Sequence, residues 1–428
     1  MRRRSKPKRW LSSMMQRESP YPMLAVADAQ RIIAAHMQPL GTEVIDVRSG
    51  DGDHGNPAAE GRVLAETIHA PGDIPDLPKS AVDGYALRSD DGAVPRRVLA
   101  EITAGIAADL TITPGTAARI MTGGALPAGA DAVVMVEQTA EQDGILTVQR
   151  VPQRGAAVHV VGQDIAVGEV VLSAGTRLGP AEIGLLATIG LTQVRVYRRP
   201  LVAVLATGDE VYEPDAPLPA GGVRDSNRYT LLAAAREAGC DVLSLGIAHD
   251  DAELQRRKII EGIERADVLL TSGGVSMGTR DLIKPLLAEL GTVHFGRVAF
   301  KPGKPTMYAT VGGKHVFGLP GYPVSSLVSF EVFVRPALRR LQGDVRPDRP
   351  LVRVVLHDAV TASPDRPEYQ RAIVGFADGQ LVARSTGAQG SSRLLSLRGA
   401  NALLLIPAGT QRYAPGDMVD ALLTGQLA

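Results

Sequence analysis

Residues Ala266–Leu290 read ADVLLTSGGVSMGTRDLIKPLLAEL. The apolar run ADVLL leads into a loop rich in glycine and hydroxyl side chains, Thr271–Asp281, which opens onto the helical pattern DLIKPLLAEL. Strand, glycine-rich loop and helix in that order suit a backbone that wraps an anion. The same alternation extends in both directions, from Leu201 to Leu341. LVAVLAT, DVLSLGIAH, VHFGRVAF and KHVFGLP read as strands, while DSNRYTLLAAAREAG, DAELQRRKIIEGIERA and the long PVSSLVSFEVFVRPALRRLQG read as helices. Such alternation predicts βαβ units and a largely parallel sheet covered on both faces.

Outside this region the texture changes. Residues His69 to Val160 carry short β-branched runs between Gly and Pro (VLAEITAG, LTITPG, ADAVVMVE, GILTVQ), the pattern of a small β-rich domain. Residues 23–68 and 161–196 flank it, with helical patterns LAVADAQRIIAAHMQPLG and PAEIGLLATIG; periodicity leaves open whether they join into one domain. After Gly343 short strands return to the end of the chain, as in a β-barrel or sandwich. A length of 428 residues fits about two to four domains.

Composition narrows the function classes. Forty-six basic residues balance 46 acidic ones, so overall charge gives no reason to expect nucleic acid. The start, MRRRSKPKRW, is basic and reads as a solvated arm over residues 1–22; no apolar stretch of a secretory signal follows it. No run approaches the ~20 apolar residues of a membrane span. The lone Cys240 closes a helical pattern and reads as buried packing, and the eight histidines lack zinc-ligand spacing. The cytoplasm is the expected compartment.

In a doubly wound sheet, ligands bind beyond the carboxyl ends of the strands. The loops there carry Asp209 and Glu210, then Asp250 and Asp251, then Ser272, Ser276, Thr279 and Asp281. Lys301 and Lys304 follow in KPGKP, and Ser325 and Ser326 in LPGYPVSS. Carboxylates, hydroxyls and lysines on one rim suit a phosphate ester held with a divalent cation. Singly, each has a plainer reading: Asp250 and Asp281, for instance, precede helices and would serve as N-caps. Gly273–Arg280 nearly matches a Walker A loop but lacks its lysine, so a nucleoside triphosphatase is a poor reading. Away from the rim, Asp83 (SAVDGYAL), Thr122 (RIMTGGALPAG), Arg371 (EYQRA) and Ser391 with Ser392 (QGSSRLLS) are further polar candidates.

Taken as an ordered set, SAVDGYA, RIMTGGALPAGADAVV, VGQDI, TGDE, DSNR, TSGGVSMG, KPGKP, LPG-x-PVSS, EYQRA and GSSRLLS make the chain from about Ala25 resemble the molybdopterin molybdenumtransferase family. That family includes the C-terminal catalytic domain of gephyrin. The resemblance implies a multidomain α/β plus β fold: an elongated, discontinuous domain (23–68 and 161–196), a β domain inserted in it (69–160), a three-layer α/β domain (197–343) and a C-terminal β-barrel (344–428). It implies a homodimer, and a reaction in which molybdate enters adenylylated molybdopterin and AMP leaves, with Mg²⁺ as cofactor. A molybdopterin adenylyltransferase would be the partner supplying substrate. Carried over by position, Lys301, Lys304, Ser325, Arg371 and a serine of Ser391–Ser392 match the molybdate-contacting set. Glu210, Asp250 and Asp281 match the acidic positions, Glu210 and Asp250 as metal ligands. Asp83, Thr122 and Asp164 match polar positions from the other part of the cleft. Ser272, Gly273, Gly274, Ser276 and Gly278 form the loop that approaches the pterin phosphate. The chain departs from the family pattern at Pro78–Lys79, at Tyr322 and at Thr279–Arg280. Those departures motivate an alternative ranked below the enzyme, a gephyrin-like scaffold with the same fold and little chemistry.

Overall fold

The computed structural model describes residues 21–48, 59–106, 109–275 and 282–428. The expected basic arm therefore falls almost wholly outside the described residues, as do Ser276, Gly278, Thr279, Arg280 and Asp281. The chain forms two compact units, one of Met1–Glu43, Gly61–Val63 and Val196–Ala428, the other of Val44–Glu60 and Leu64–Arg195. Helix α1 (Val26–His36) belongs to the first and α2 (Pro180–Thr188) to the second.

The second unit is built on a six-stranded sheet of β1 (Gly84–Leu87), β2 (Arg96–Ile102), β3 (Thr116–Ile120), β4 (Ala132–Met135), β5 (Thr139–Gln142) and β6 (Ile145–Val148), in the order β4-β1-β3-β2-β6-β5. Alternate residues of β1 enter different cores: Tyr85 and Leu87 pack with Val134 and Leu146, Ala86 with Ile102, Ile112 and Ile120. Both faces of this small sheet are thus covered.

The first unit holds the expected α/β sheet. Its strands are β7 (Leu201–Thr207), β8 (Asp241–Ala248), β9 (Val268–Ser272), β10 (Thr292–Phe295), β11 (Met307–Val311) and β12 (Lys314–Leu319), ordered β8-β7-β9-β12-β11-β10. The first four in that order run parallel; β11 and β10 are antiparallel additions at one edge. Alternation along β7 sets the three layers. Val202 and Val204 pack with Leu231 and Ala235 of α3 (Asn227–Glu237) and Val328 of α6 (Pro323–Ser329). Ala203 and Leu205 pack instead with Ile259 of α4 (Ala252–Arg265) and Ile283 and Leu287 of α5 (Ile283–Leu290). Beyond the sheet, β13 (Leu351–Leu356), β14 (Glu368–Ala377), β15 (Gln380–Ser385), β16 (Ala402–Ile406) and β17 (Met418–Leu423) close a barrel in the order β13-β15-β14-β16-β17. Among the described residues no helix is long and apolar enough to cross a membrane.

Two elements differ from expectation. VHFGRVAF is not one strand: β10 stops at Phe295, because the next residues leave the sheet to pair with Leu24, whose N–H donates to Arg297 O and whose carbonyl accepts from Ala299. The expected long helix is α6, a π turn over Phe330–Val334, and then α7 (Arg335–Leu341). Pro336 has no N–H to give the carbonyl four residues back, and its ring crowds that carbonyl. The carbonyl is Val332 O, and it accepts from Gln30 Nε2 at 3.2 Å instead.

Candidate active site at the carboxyl rim

Strand register places the rim. Thr207 pairs with Ala248, Ala206 with Ser272, and Ser272 with Leu319, so β7, β8, β9 and β12 end together. The loops starting at Gly208, His249, Gly273 and Pro320 therefore leave from one row. Because β11 and β10 are antiparallel, with Met307 opposite Gly318 and Phe295 opposite Tyr308, the Lys301–Lys304 loop between them returns to the same edge.

The acidic side of the rim is tied together through backbone. Asp250 N–H donates to Asp209 Oδ1 at 2.9 Å, and Gln255 Nε2 reaches Asp250 Oδ1 at 3.4 Å. Asp250 is not the N-cap of α4; the cap is Asp251, whose Oδ1 accepts from Leu254 N at 2.7 Å. A capping side chain must stand immediately before the first helical residue to reach the third, and that residue is Ala252. Asp250, one residue earlier, takes no part in that cap. Glu210 is exposed and curls back, so that a Cβ on Gly208 would lie 2.7 Å from its carboxylate oxygen. The N-cap of α5 is Leu282, while Asp281 lies outside the described residues.

At the start of the opening loop, Gly273 and Gly274 have φ of +92° and +66°. A Cβ on Gly273 would meet Thr207 O at 2.8 Å, and one on Gly274 would meet Ile283 Cγ1 at 2.6 Å. Their lack of side chains thus lets the loop turn tightly between β7 and α5. Ser272 is buried at the end of β9.

Lys301 and Arg371 converge on the barrel strand β14. Lys301 Nζ lies 3.3 Å from Glu368 Oε1, and Lys301 N–H and C=O bond to Pro367 O and Tyr369 N. Lys304 is half-buried, and its carbonyl accepts from Val298 N at 3.0 Å. Arg371 is fully buried; Nε and Nη2 donate to Ser396 Oγ at 3.2 and 3.1 Å, and Nη2 also to Gly390 O at 3.3 Å. Its Nη1 is buried without a hydrogen-bond partner. Burial pushes this guanidinium down to about 10, only partly offset by the Glu368 carboxylate. A buried cation with an unused donor is a ready receiver for an oxyanion. Ser325 is buried in the first turn of α6, and Ser391 reaches the same turn through its carbonyl, which accepts from Val324 N at 3.1 Å. Ser392 is exposed in the adjoining turn, its carbonyl accepting from Leu394 N.

In the other unit, Asp83 and Thr122 come together because Gly84 of β1 is opposite Ile120 of β3. Asp83 Oδ1 accepts from Thr122 N at 2.7 Å and Thr122 Oγ1 at 2.8 Å. The Thr122 N–H and then its hydroxyl hold the carboxyl below the usual carboxylate range. Asp164 is placed by a different interaction, its N–H donating to Ile74 O at 3.0 Å, and its side chain is exposed.

Among the described residues no three His, Cys, Asp or Glu side chains gather into a cage for a metal ion. Glu210 and Asp250 offer hard carboxylate oxygens, the donor type for magnesium bound by one or two carboxylates, with water and substrate phosphate completing the shell. Sequence reading passed over Asn227, Glu368, Gln389 and Ser396. Glu368 anchors Lys301, Ser396 anchors Arg371, and Gln389 Oε1 accepts from Arg371 N at 2.9 Å. The one sequence signal for them was their place inside DSNR, EYQRA and QGSSRLLS.

Three family models match in succession: "MoeA N-terminal region (domain I and II)" over residues 24–190, "Probable molybdopterin binding domain" over 203–340, and "MoeA C-terminal region (domain IV)" over 353–424. A molybdopterin molybdenumtransferase of Nostoc is 36% identical, covering 94% of each chain, and that of Bacillus subtilis is 36% identical over 85% of this chain and 87% of its own. A gephyrin of Dictyostelium discoideum is 35% identical over 96% of this chain, which spans only 64% of that relative's length. Among solved structures, a molybdopterin biosynthesis moeA protein of Pyrococcus horikoshii superposes with a TM-score of 0.81 at 29% identity, covering 94% of this chain and all of the other. With these matches, its α/β sheet and its closed barrel, the chain belongs to the molybdopterin molybdenumtransferase (MoeA) family.

Proposed function

We propose that the chain inserts molybdate into adenylylated molybdopterin, releasing AMP as the phosphoanhydride is cleaved. The observation that carries this reading is Arg371, fully buried, with an unpartnered Nη1 next to the Lys301–Glu368 pair. Molybdate and a pyrophosphate repel each other, and bringing them together calls for cations and N–H donors held in place before either arrives. Lys301, Lys304 and Arg371 supply the cations, Ser325 and Ser391 or Ser392 the polar contacts. The loop of Ser272, Gly273 and Gly274 supplies a close backbone approach for the phosphate end. Within the second unit, Asp83 and Thr122 form a hydrogen-bonded pair of their own, and Asp164 is an exposed carboxylate.

Glu210 and Asp250 would hold Mg²⁺, whose charge, when bound, offsets that of the pyrophosphate oxygens. The working form is a homodimer in the cytoplasm, receiving substrate from a molybdopterin adenylyltransferase. Coverage of 94% of the Nostoc enzyme, against 64% of the Dictyostelium gephyrin, supports the enzyme over the scaffold. The test is to incubate the purified protein with adenylylated molybdopterin, molybdate and Mg²⁺ and measure molybdenum bound to the pterin after desalting. One molybdenum per pterin is expected; none would overturn the proposal.

A further inference from the structure

Asn227 opens α3 and lies between two other rim loops. Its Nδ2 donates to Ser272 Oγ at 2.7 Å and to Gly321 O at 2.7 Å. Those two loops also approach each other directly, since a Cβ on Gly321 would lie 3.8 Å from Gly273 Cα. The contact with Gly321 fixes the orientation of the amide. A peptide carbonyl can only accept, so the nitrogen of Asn227 must face it, and the flipped amide would set oxygen against oxygen.

Two consequences follow for the rim. Asn227 Oδ1 is buried and meets no donor. Ser272, only 4% exposed, already accepts on Oγ, so its hydroxyl hydrogen is left to be donated. One hydrogen bond therefore joins a buried acceptor to a buried donor at the end of β9. Molybdate and pyrophosphate oxygens offer acceptors, which suit Ser272 but leave Asn227 Oδ1 unsatisfied. An N–H or O–H donor satisfies it. Within adenylylated molybdopterin such groups belong to the organic ends: the pterin N–H groups at one, the adenine amine and the ribose hydroxyls at the other.

We propose that Asn227 is a substrate-binding residue whose Oδ1 accepts a hydrogen bond from the organic part of the substrate, while its Nδ2 holds the loops of Ser272 and Gly321 together. The inference rests on the function proposed above and adds a recognition element for the organic part of the substrate, separate from the cationic cradle for oxyanions.

Calorimetric titration of the whole protein with adenylylated molybdopterin, molybdopterin, AMP and molybdate tests it. Asn227→Ala should weaken adenylylated molybdopterin by ~10-fold or more, the worth of a buried hydrogen bond with its partner stranded. It should weaken either molybdopterin or AMP by the same factor, which tells the pterin end from the adenosine end, and leave molybdate unchanged. Asn227→Asp keeps an acceptor at the Oδ1 position but sets its second oxygen against Gly321 O, so it should recover only part of the affinity; it also serves if the alanine variant fails to fold, and organic-ligand affinities equal to those of the wild type in both variants would count against the inference. Unchanged affinity of a folded Asn227→Ala for all three organic ligands would overturn the inference, as would a loss confined to molybdate. Failure of the wild-type protein to bind any of the three organic ligands would instead overturn the functional reading beneath it.

Discussion

Lys301 Nζ stands 3.3 Å from Oε1 of Glu368, a carboxylate buried at the start of β14. The lysine comes from the α/β sheet's edge loop and the glutamate from the barrel, so the pair ties the lysine to a different substructure. Lys301 is 44% exposed, and solvent screens the pair. Glu368→Gln should therefore cost no more than about 1 kcal/mol of stability. It should lower kcat/KM for AMP release by ~10-fold, because the lysine loses its anchor. Urea denaturation and steady-state kinetics on the same preparation check both halves.

Arg371 uses Nε and Nη2 on Ser396 and Gly390 while Nη1 stays unpartnered. A lysine has one ammonium and cannot make the anchoring contacts and the ligand contact in a single geometry. Arg371→Lys should raise the KM for molybdate by ~10-fold or more, with a smaller change in that for adenylylated molybdopterin. Equal effects on both substrates would contradict the assignment of Nη1 to the oxyanion.

Asp83 gives a pH-dependent prediction. Its carboxyl is held low by the Thr122 N–H and hydroxyl, so the stability it contributes is present above the unfolded pKa and is lost as pH falls through the lower folded value. Thr122→Val removes the hydroxyl and keeps the N–H. The acid limb of the activity profile should move to higher pH in that variant, and a rate–pH series would detect the shift.

Asp267, at the opposite end of the sheet from the rim, separates folding from function. It accepts from Arg198 Nη1 and Nη2, both at 2.7 Å, and from Leu201 N at 3.0 Å, with Lys314 Nζ at 3.3 Å. Burial alone would raise its carboxyl, but Arg198, the Leu201 N–H and Lys314 outweigh that and bring it down to about 2. Its contribution is thus full above the ordinary carboxylate pKa and fades as pH falls toward 2. Asp267→Ala strands a buried N–H and two cations, one of them partly solvated, and should destabilise the protein by ~2–4 kcal/mol. The kcat of the folded fraction should be unchanged.

The α/β layering was legible in sequence because period-two and period-3.6 patterns follow directly from which faces are buried, as β7 and α3 show. The rim was legible for the same reason: once the strands are parallel, their loops leave from one row. Three things were not. Pattern does not tell which of Asp250 and Asp251 caps α4, since the choice turns on one residue of helix boundary. The π turn before α7 depended on Gln30, 302 residues from Val332, taking over a carbonyl. The anchoring partners Asn227, Glu368 and Ser396 depend on long-range contacts that spacing does not encode. The opening stretch itself divides: Ser272, Gly273 and Gly274 are explained by packing, while Asp281 lies outside the described residues.

If the rim joins molybdate to an adenylylated substrate, AMP release measured with and without molybdate is its readout. With Mg²⁺ present, AMP release should be coupled to molybdate addition and should fall by at least ~100-fold in Lys301→Ala. No AMP in either arm, or release unaffected by both molybdate and the Lys301 substitution, would contradict it.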